Sequence, residues 1–542
     1  MIFRSALPPV DIPNVDIVTF LRAKIRTCPY WTDRDRAVFI DAATEESLSI
    51  AQFEAELTRL TAGWQHTAGL AIGDVVALVA PNDIRFSVGL FSILAAGGTV
   101  TLVNPAYTAA EMAQQLADAG ARFALVAPEA MATVAETRII KPESTYLLHP
   151  TIRPPGSRNL ADLASDQPPR TSISPLPTSP AYLCYSSGTT GRPKAVALTH
   201  RNIVANVCQV DAFKRHHGLS HSGQTLAGIL PFFHTYGLTI LLHLGLVQGF
   251  TVVAVRRFQL DDFVPLVAQF RINAAYLVPP VIISLFKDPR TRAGDLSSLV
   301  EVGTGAAPFS AQLIHDILTV YAVRFGQGYG LTEASPAVLF TPAAAHSSSA
   351  VGVLLPNMEA KIVAEDGRAL GYGETGELCL RGPNVMSGYL NNPEATTASF
   401  DADGFLLTGD LGHVSVHDEF FITDRIKELI KYKGFQVAPA ELEAVLISHP
   451  AVREAVVLGS YDPEQLTELP RALVVRQPDY CNWDAEELAR EIAAFTNDQV
   501  AGYKKLRGGV SFIDSLPKSA AGKVMRRQLR TQLRLGNPLG PT

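Results

Sequence analysis

Between Val75 and Ala127 the chain alternates between short apolar runs and amphipathic stretches. VVALVA precedes a helical pattern over 85–96, TVTLV precedes another over 108–117, and ARFALVA closes the series. Parallel strands cannot be joined by a tight turn, so strand, helix, strand, helix, strand within so short a span predicts a parallel sheet with helical crossovers. The fold class expected is α/β, a large N-terminal body of mixed and parallel sheets with flanking helices. No G-x-G-x-x-G opens the first crossover helix, which excludes a dinucleotide fingerprint there.

The rest of the chain divides on changes of pattern. At 542 residues, 47% hydrophobic and 18% charged, it is long enough to bury a sizeable core and to hold more than one domain. The segment 149–180 is dense in Pro and Ser and reads as a long surface connection. After Asp424 the pattern becomes that of a compact α+β unit. A helix opens at Pro439, strands are expected over 455–458 and 472–475, a helix from Asp484, and a strand near Val510. The boundaries expected are 1–423 for the large domain and 424–542 for the small one. The apolar run 236–255 approaches the length of a membrane span, but Gly237, His243, Gly245, Gln248 and Gly249 interrupt it, so it reads as a buried helix followed by a buried strand.

Charge and cysteine usage narrow the chemistry. A formal net charge of -6 and no large basic patch argue against nucleic acid or anionic membrane as partners. The five cysteines form no C-x-x-C pair, which suggests neither a zinc site nor a disulfide framework and suits a reducing compartment. The N-terminal MIFRSALPPVDIP is too short an apolar run for a secretory signal, and the final LGPT is not an S-K-L type address. A cytoplasmic location is the default expectation.

The stretch YSSGTTGRPKAV, 185–196, is where phosphate chemistry enters. Its glycines permit close backbone approach, and Ser186, Ser187, Thr189 and Thr190 with Lys194 offer hydroxyl and ammonium donors to phosphate oxygens. The Walker spacing G-x-x-x-x-G-K-[ST] is absent, with Pro193 where its second glycine would stand. An apolar run before the loop and a helix capped at Thr199 after it suggest that the loop joins a strand to a helix.

Further stretches follow in order: PFFHTYGL at 231–238, GTGAAP at 303–308, GQGYGLTEASP at 326–336, GELCLRGPNVMSGYL at 376–390, TGD at 408–410, ITDRIKELIKYKGFQVAPAELE at 422–443 and PKSAAGKVMRR at 517–527. With the loop, this set resembles the adenylate-forming superfamily across nearly the whole chain, most closely its 4-coumarate-CoA ligase branch. The resemblance implies an acid–thiol ligase with ATP and CoA as co-substrates and Mg²⁺ as cofactor. A carboxylate attacks the α-phosphate of ATP, pyrophosphate leaves, and a thiol then displaces AMP from the acyl-adenylate. The acid implied is aryl, hydroxycinnamate-like or medium-chain. Transfer to a carrier protein instead of CoA remains open, as does a catalytically silent nucleotide-binding protein.

Carried over residue by residue, the resemblance assigns roles as follows. Ser186, Ser187, Gly188, Thr189, Thr190 and Lys194 clasp the leaving phosphates, Glu333 holds Mg²⁺, and Thr332 donates to the α-phosphate. Asp410 and Arg425 take the ribose, Ala306 and Tyr329 flank adenine, and Gln327 and Gly328 line the adenylate site. His234 faces the reacting carboxylate. Tyr236, Ile240, Gly330, Leu331, Pro336 and Val338 wall the acid pocket. Lys523 serves adenylation by offsetting the repulsion between carboxylate and phosphate. A mobile small domain then rotates near Asp424 to exchange Lys523 for the face carrying Lys427, Lys431 and Gln436, with Lys433 and Gly434 beside the pantetheine tunnel. Arg257 stands where relatives contact the CoA nucleotide. Three positions depart from the usual pattern: Ala195 and Ser335, where glycine is usual, and Leu331, where methionine is common.

Overall fold

The structure, a computed structural model, describes residues 1–152, 154–170, 175–186, 193–219, 223–305, 311–342, 345–347, 349–433, 435–462, 465, 467–519 and 523–534. The alternating region folds as its pattern predicts. Strands Val75–Val79, Thr99–Val103 and Ala121–Val126 are parallel, with Val75–Val79 in the middle. Helices Ile84–Ala95 and Ala109–Asp118 make the crossovers. The first helix starts where the Asp83 carboxylate accepts the Arg85 amide, and the second where Thr108 and Glu111 satisfy each other's backbone donors in a capping box.

These strands belong to an eight-stranded sheet that faces a nine-stranded one. Both are parallel at the centre; the first is antiparallel at one edge and the second at both, running through Ala274–Leu277, Glu301–Thr304 and Arg324–Gly330 to the reversed strand Ala337–Phe340 at one end and to the antiparallel pair Ala37–Asp41 and Ser47–Ser49 at the other. One buried cluster joins Val76 and Leu78 of the first sheet to Ala274 and Tyr276 of the second, with helices Ile84–Ala95 and His200–His216 packed into it. The opposite face of the nine-stranded sheet, with Ala275, Leu277 and Val302, is covered by a separate apolar cluster. A five-stranded antiparallel sheet ends in strands Leu406–Val414 and Phe420–Arg425.

Beyond Arg425 the strands form sheets of their own. Val452–Asp462, Thr467–Arg476 and Val510–Phe512 pair together, covered by helices Pro439–Ser448 and Ala485–Asn497 over an independent core. The first of these helices lacks a capping side chain of its own, and Asp424 from the five-stranded sheet accepts its Ala440 amide at 3.1 Å.

Two local readings need correction. The phosphate loop joins strand to strand: Pro180–Ser186 and Lys194–Thr199 pair antiparallel, Lys194 opposite Ser186, and helix His200–His216 starts only after the second strand. AVAL is short and apolar, and a run of that kind before a helix cap reads equally as the cap's lead-in, so local pattern does not mark it as a strand. Segment 149–180 is likewise not wholly superficial. Leu160 and Leu163 form a buried helical turn against Gly63, where a Cβ would lie 2.1 Å from the Leu163 carbonyl oxygen.

Residues 236–255 are helical and then a strand, Thr251–Ala254, with the Gly237–His243 turn in π geometry. Among the described residues no helix is long and apolar enough to cross a membrane. All five cysteines are free thiols.

Two buried histidines make the large body acid-sensitive. His243 donates from Nδ1 to the Leu238 carbonyl at 2.8 Å and accepts the Tyr182 hydroxyl at Nε2, 2.9 Å away. His200 accepts the Ile17 amide at Nδ1. Burial pushes both down to about 4. The unfolded chain therefore binds these protons first, and their contribution to stability is complete above the ordinary histidine range and lost as pH falls from about 6.5 towards 4. We expect denaturant midpoints to fall between pH 7.5 and 4.5, and to fall less in His200→Asn, which keeps an acceptor for Ile17 without a titrating ring.

Candidate active site

Strand Arg324–Gly330, RFGQGYG, carries three glycines on one side of the central sheet. The chain then doubles back through a 3-10 turn, Thr332–Ala334, into the reversed strand. The close return requires Gly330, where a Cβ would sit 2.1 Å from the Pro336 carbonyl oxygen. Ser335 adopts φ 72°, a left-handed conformation that favours glycine, and its hydroxyl donates to the Asn384 carbonyl at 2.8 Å. Asn384 in turn donates from Nδ2 to the carbonyls of Ala334 and Ala337. The Ser335 side chain is thus spent within the turn, and the departure from glycine changes how the turn is held.

This turn presents Glu333 to the phosphate hairpin. Glu333 Oε1 accepts the Ser186 hydroxyl at 3.1 Å and the Tyr389 hydroxyl at 3.0 Å. The Lys194 ammonium lies 4.9 Å from the centre of the Tyr389 ring, and Lys427 is close enough for Lys194 and Arg425 to lower its pKa after burial has done so. Lysines from two parts of the chain therefore gather at this hairpin, a suitable surround for a polyphosphate. One carboxylate with phosphate oxygens and water is also a fitting donor set for Mg²⁺, which seldom takes an all-protein cage. Among the described residues there is no cluster of three or more metal-ligating side chains.

A second carboxylate is fixed across the two sheets. Asp410 is 3% exposed; its Oδ2 accepts the Tyr329 hydroxyl at 2.6 Å and its Oδ1 pairs with Arg425 Nε at 2.9 Å. Asp410 and Arg425 face each other in register on neighbouring strands. Burial, then the Asp410 charge, holds the Tyr329 phenol well above its ordinary value, so the hydroxyl remains a donor.

Lys523 enters the same space from the C-terminal unit. Its ammonium lies within electrostatic reach of Arg425, Asp410 and Glu333, and its pKa is lowered by burial and by Arg425, against the two carboxylates. His234 is pushed down to about 4 by burial and by Lys523, so it is neutral at neutral pH. Lys431 is exposed on the Ile430–Tyr432 strand, its amide donating to Glu468, and Lys433 is exposed with its amide donating to Thr467. Arg257 is also exposed. Gln327 is buried, with Nε2 on the Ala350 carbonyl, and Gly328 follows it. Tyr236 and Leu331 are half-buried against the core that encloses Ile240 and Val338, and Pro336 closes the turn. Ser187, Gly188, Thr189, Thr190, Ala306 and Gly434 and the side chain of Gln436 lie outside the described residues.

Tyr389 went unassigned in the sequence, although it lies in the GELCLRGPNVMSGYL stretch. An aromatic after serine and glycine carries no local sign that it will meet a glutamate 56 residues earlier. The Tyr329 hydroxyl was similarly hidden behind its ring.

Residues 31–390 match the family profile of the AMP-binding enzyme, and 441–523 match that of the AMP-binding enzyme C-terminal domain. The chain belongs to this family, the adenylate-forming acid–CoA ligases. It is 38% identical to 4-coumarate–CoA ligase 5 of Oryza sativa subsp. japonica over 99% of this chain and 98% of that protein. It is 37% identical to 4-coumarate-CoA ligase 1 of Narcissus pseudonarcissus, over 99% and 98% respectively. Among solved structures, ATP-bound MatB from Rhodopseudomonas palustris superposes with a TM-score of 0.83 at 26% identity, covering 96% of this chain and all of that one.

Removing the Tyr329 hydroxyl tests the clamp on Asp410. A hydrogen bond to a charged group contributes about 1.5–3 kcal/mol, so Tyr329→Phe should raise the KM for ATP by roughly 10-fold or more while the Arg425 pair still holds the carboxylate. Steady-state kinetics with ATP varied provide the check.

Proposed function

We propose that this chain joins an aryl, hydroxycinnamate-like or medium-chain carboxylic acid to CoA in two steps at one cleft. In the first, an acid oxygen attacks the α-phosphorus of ATP and pyrophosphate departs with the P–O bonding pair. In the second, the CoA sulfur attacks the acyl carbonyl carbon, loses its proton, and AMP departs. The observation that carries this reading is the placement of Lys523. A cation among Asp410, Glu333 and His234 is where an anionic acid must meet an anionic phosphate, and reducing that repulsion is the main electrostatic task of the step. The relatives named 4-coumarate–CoA ligases support the hydroxycinnamate-like end of the range.

The remaining groups take supporting roles. Neutral His234 donates a hydrogen bond to the acid without adding charge. Asp410 accepts the ribose hydroxyls, and Arg425 and Tyr329 keep its carboxylate oriented. Ser186, Lys194 and Lys427, with the hydroxyl-rich loop 187–190, take the β- and γ-phosphates and Thr332 the α-phosphate. Glu333 would hold Mg²⁺, which supplies further neutralisation of the phosphates when bound.

The arrangement suits adenylation. Lys431 is exposed on a different strand of the C-terminal unit, so thioester formation requires that unit to turn on the segment after Asp424 and exchange one lysine for the other. Lys433, Gly434 and Arg257 then serve CoA.

Two half-reactions separate the lysines. Lys523→Ala should lose acid-dependent pyrophosphate release by at least about 100-fold, as removal of one preorganised electrostatic group does, yet still convert supplied acyl-adenylate to thioester. Lys431→Ala should show the reverse. Equal loss of both steps in both variants would refute the exchange. Pyrophosphate release across hydroxycinnamates, benzoates and medium-chain fatty acids, with and without CoA, identifies the acid class; release without CoA-dependent turnover would point to a carrier protein as acceptor.

A further inference from the structure

We propose that the acid pocket ends at a buried cationic cluster, Lys214 with Tyr276, Glu301 and Arg324, and that the acid carries an oxygen acceptor at the end remote from its carboxylate. The inference rests on the ligase reading and names the substrate feature that reading leaves open.

The register of the central sheet sets out the path. Gly303 is paired with Tyr276 on one side and Gly326 on the other, and two residues further back Glu301 is paired with Arg324. Residues two apart share a face, so Glu301, Gly303 and Gly305 line up beside Arg324, Gly326 and Gly328 on the side opposite the 302–314 apolar cluster. At the adenylate end, the Tyr236 ring lies 3.5 Å from where a Gly305 Cβ would stand. In the middle, a Cβ at Gly326 would meet nothing within 4 Å, so the sheet there faces open space, and the Tyr276 ring covers neighbouring Gly303. Four residues of strand, about 13 Å, separate the level of Gly305 from that of Glu301. An extended acid lying over Gly326 with its carboxylate near His234 points its far end at the cluster.

The cluster is built for a polar end. Lys214 and Glu301 are 6% and 7% exposed. The Tyr276 hydroxyl donates to Glu301 Oε1 at 3.0 Å and accepts from the Lys214 ammonium; Arg324 pairs with the other carboxylate oxygen, and Lys214 lies 3.6 Å from the first. Two cations therefore share one carboxylate, leaving an excess of positive charge. Of the three donors on the Lys214 ammonium, one meets Tyr276 and a second is engaged by Glu301; no third partner is found among the described residues. Burial lowers the Lys214 pKa while Glu301 opposes the shift. An incoming hydroxyl, carbonyl or carboxylate oxygen would satisfy a donor that the fold leaves unused. The cluster also adjoins the pocket wall electrically, since Glu301 raises the pKa of Tyr236 after burial has raised it.

Two pairs of acids test this on the full chain: cinnamate against 4-hydroxycinnamate, and octanoate against octanedioate, with kcat/KM measured by pyrophosphate release. A hydrogen bond from a charged donor corresponds to roughly a 10- to 150-fold preference. We expect the oxygenated member of one pair to be preferred by that factor, and which pair responds distinguishes an aromatic hydroxyl from an aliphatic carboxylate. In Lys214→Met the ratio should collapse towards about 1, because general damage lowers both members of a pair equally and leaves their ratio unchanged. Tyr276→Phe, which keeps the ring over Gly303, should reduce the ratio too and serves if the first variant fails to fold. Release without preference in the parent chain, or a ratio unchanged in the variants, overturns the inference alone. No release with any of these four acids or with the benzoates and fatty acids of the wider panel overturns the ligase reading beneath it.

Discussion

The carboxylate of Asp410, almost fully buried, holds the cleft together. Removing an ion from water costs several kcal/mol unless partners replace its hydration, and here they come from two directions. Arg425 meets it from the next strand of the same sheet, and Tyr329 reaches it from the nine-stranded sheet. The pair of contacts locks the five-stranded sheet against strand Arg324–Gly330. Lys523, arriving from the C-terminal unit, is drawn to the same carboxylate and to Glu333. Position of sheet, strand and Lys523 thus depends on one buried charge.

Glu333 forms the second tie. Its partners Ser186 and Tyr389 sit on the eight-stranded sheet, at the phosphate hairpin and on the short edge strand Gly388–Tyr389. The Glu333 carboxylate is therefore aimed by groups from the sheet that also carries the hairpin 180–199. Between these two carboxylates runs a strip of glycine backbone. Its bareness leaves room for a substrate on an otherwise packed sheet face, and the polar groups that close it lie two residue pairs further along.

Much of the fold was legible because it is local. The βαβαβ alternation, the helix starting at Pro439 and the Asp484 cap depend on periodicity and on side chains bonding amides two or three residues away. The hairpin 180–199 is not legible locally because AVAL supports either strand or helix lead-in, and only pairing with Tyr182–Tyr185 decides between them. The candidate site was legible as motifs, but the bonds within it were not. Tyr389 with Glu333 and Lys214 with Glu301 join residues 56 and 87 positions apart, and no local pattern encodes such a meeting.

The sequence by itself determined the α/β class, the compact C-terminal unit, the order of the motifs and the chemical type of each principal site residue, since periodicity, capping and residue chemistry are properties of neighbouring positions. Tertiary structure alone decided that Lys523 faces the cleft while Lys431 is exposed, that Tyr329 holds Asp410, and that Lys214, Tyr276, Glu301 and Arg324 meet in one buried cluster. Those outcomes depend on sheet register and on how distant elements pack, and burial then sets the charge and hydrogen-bonding demand of each group.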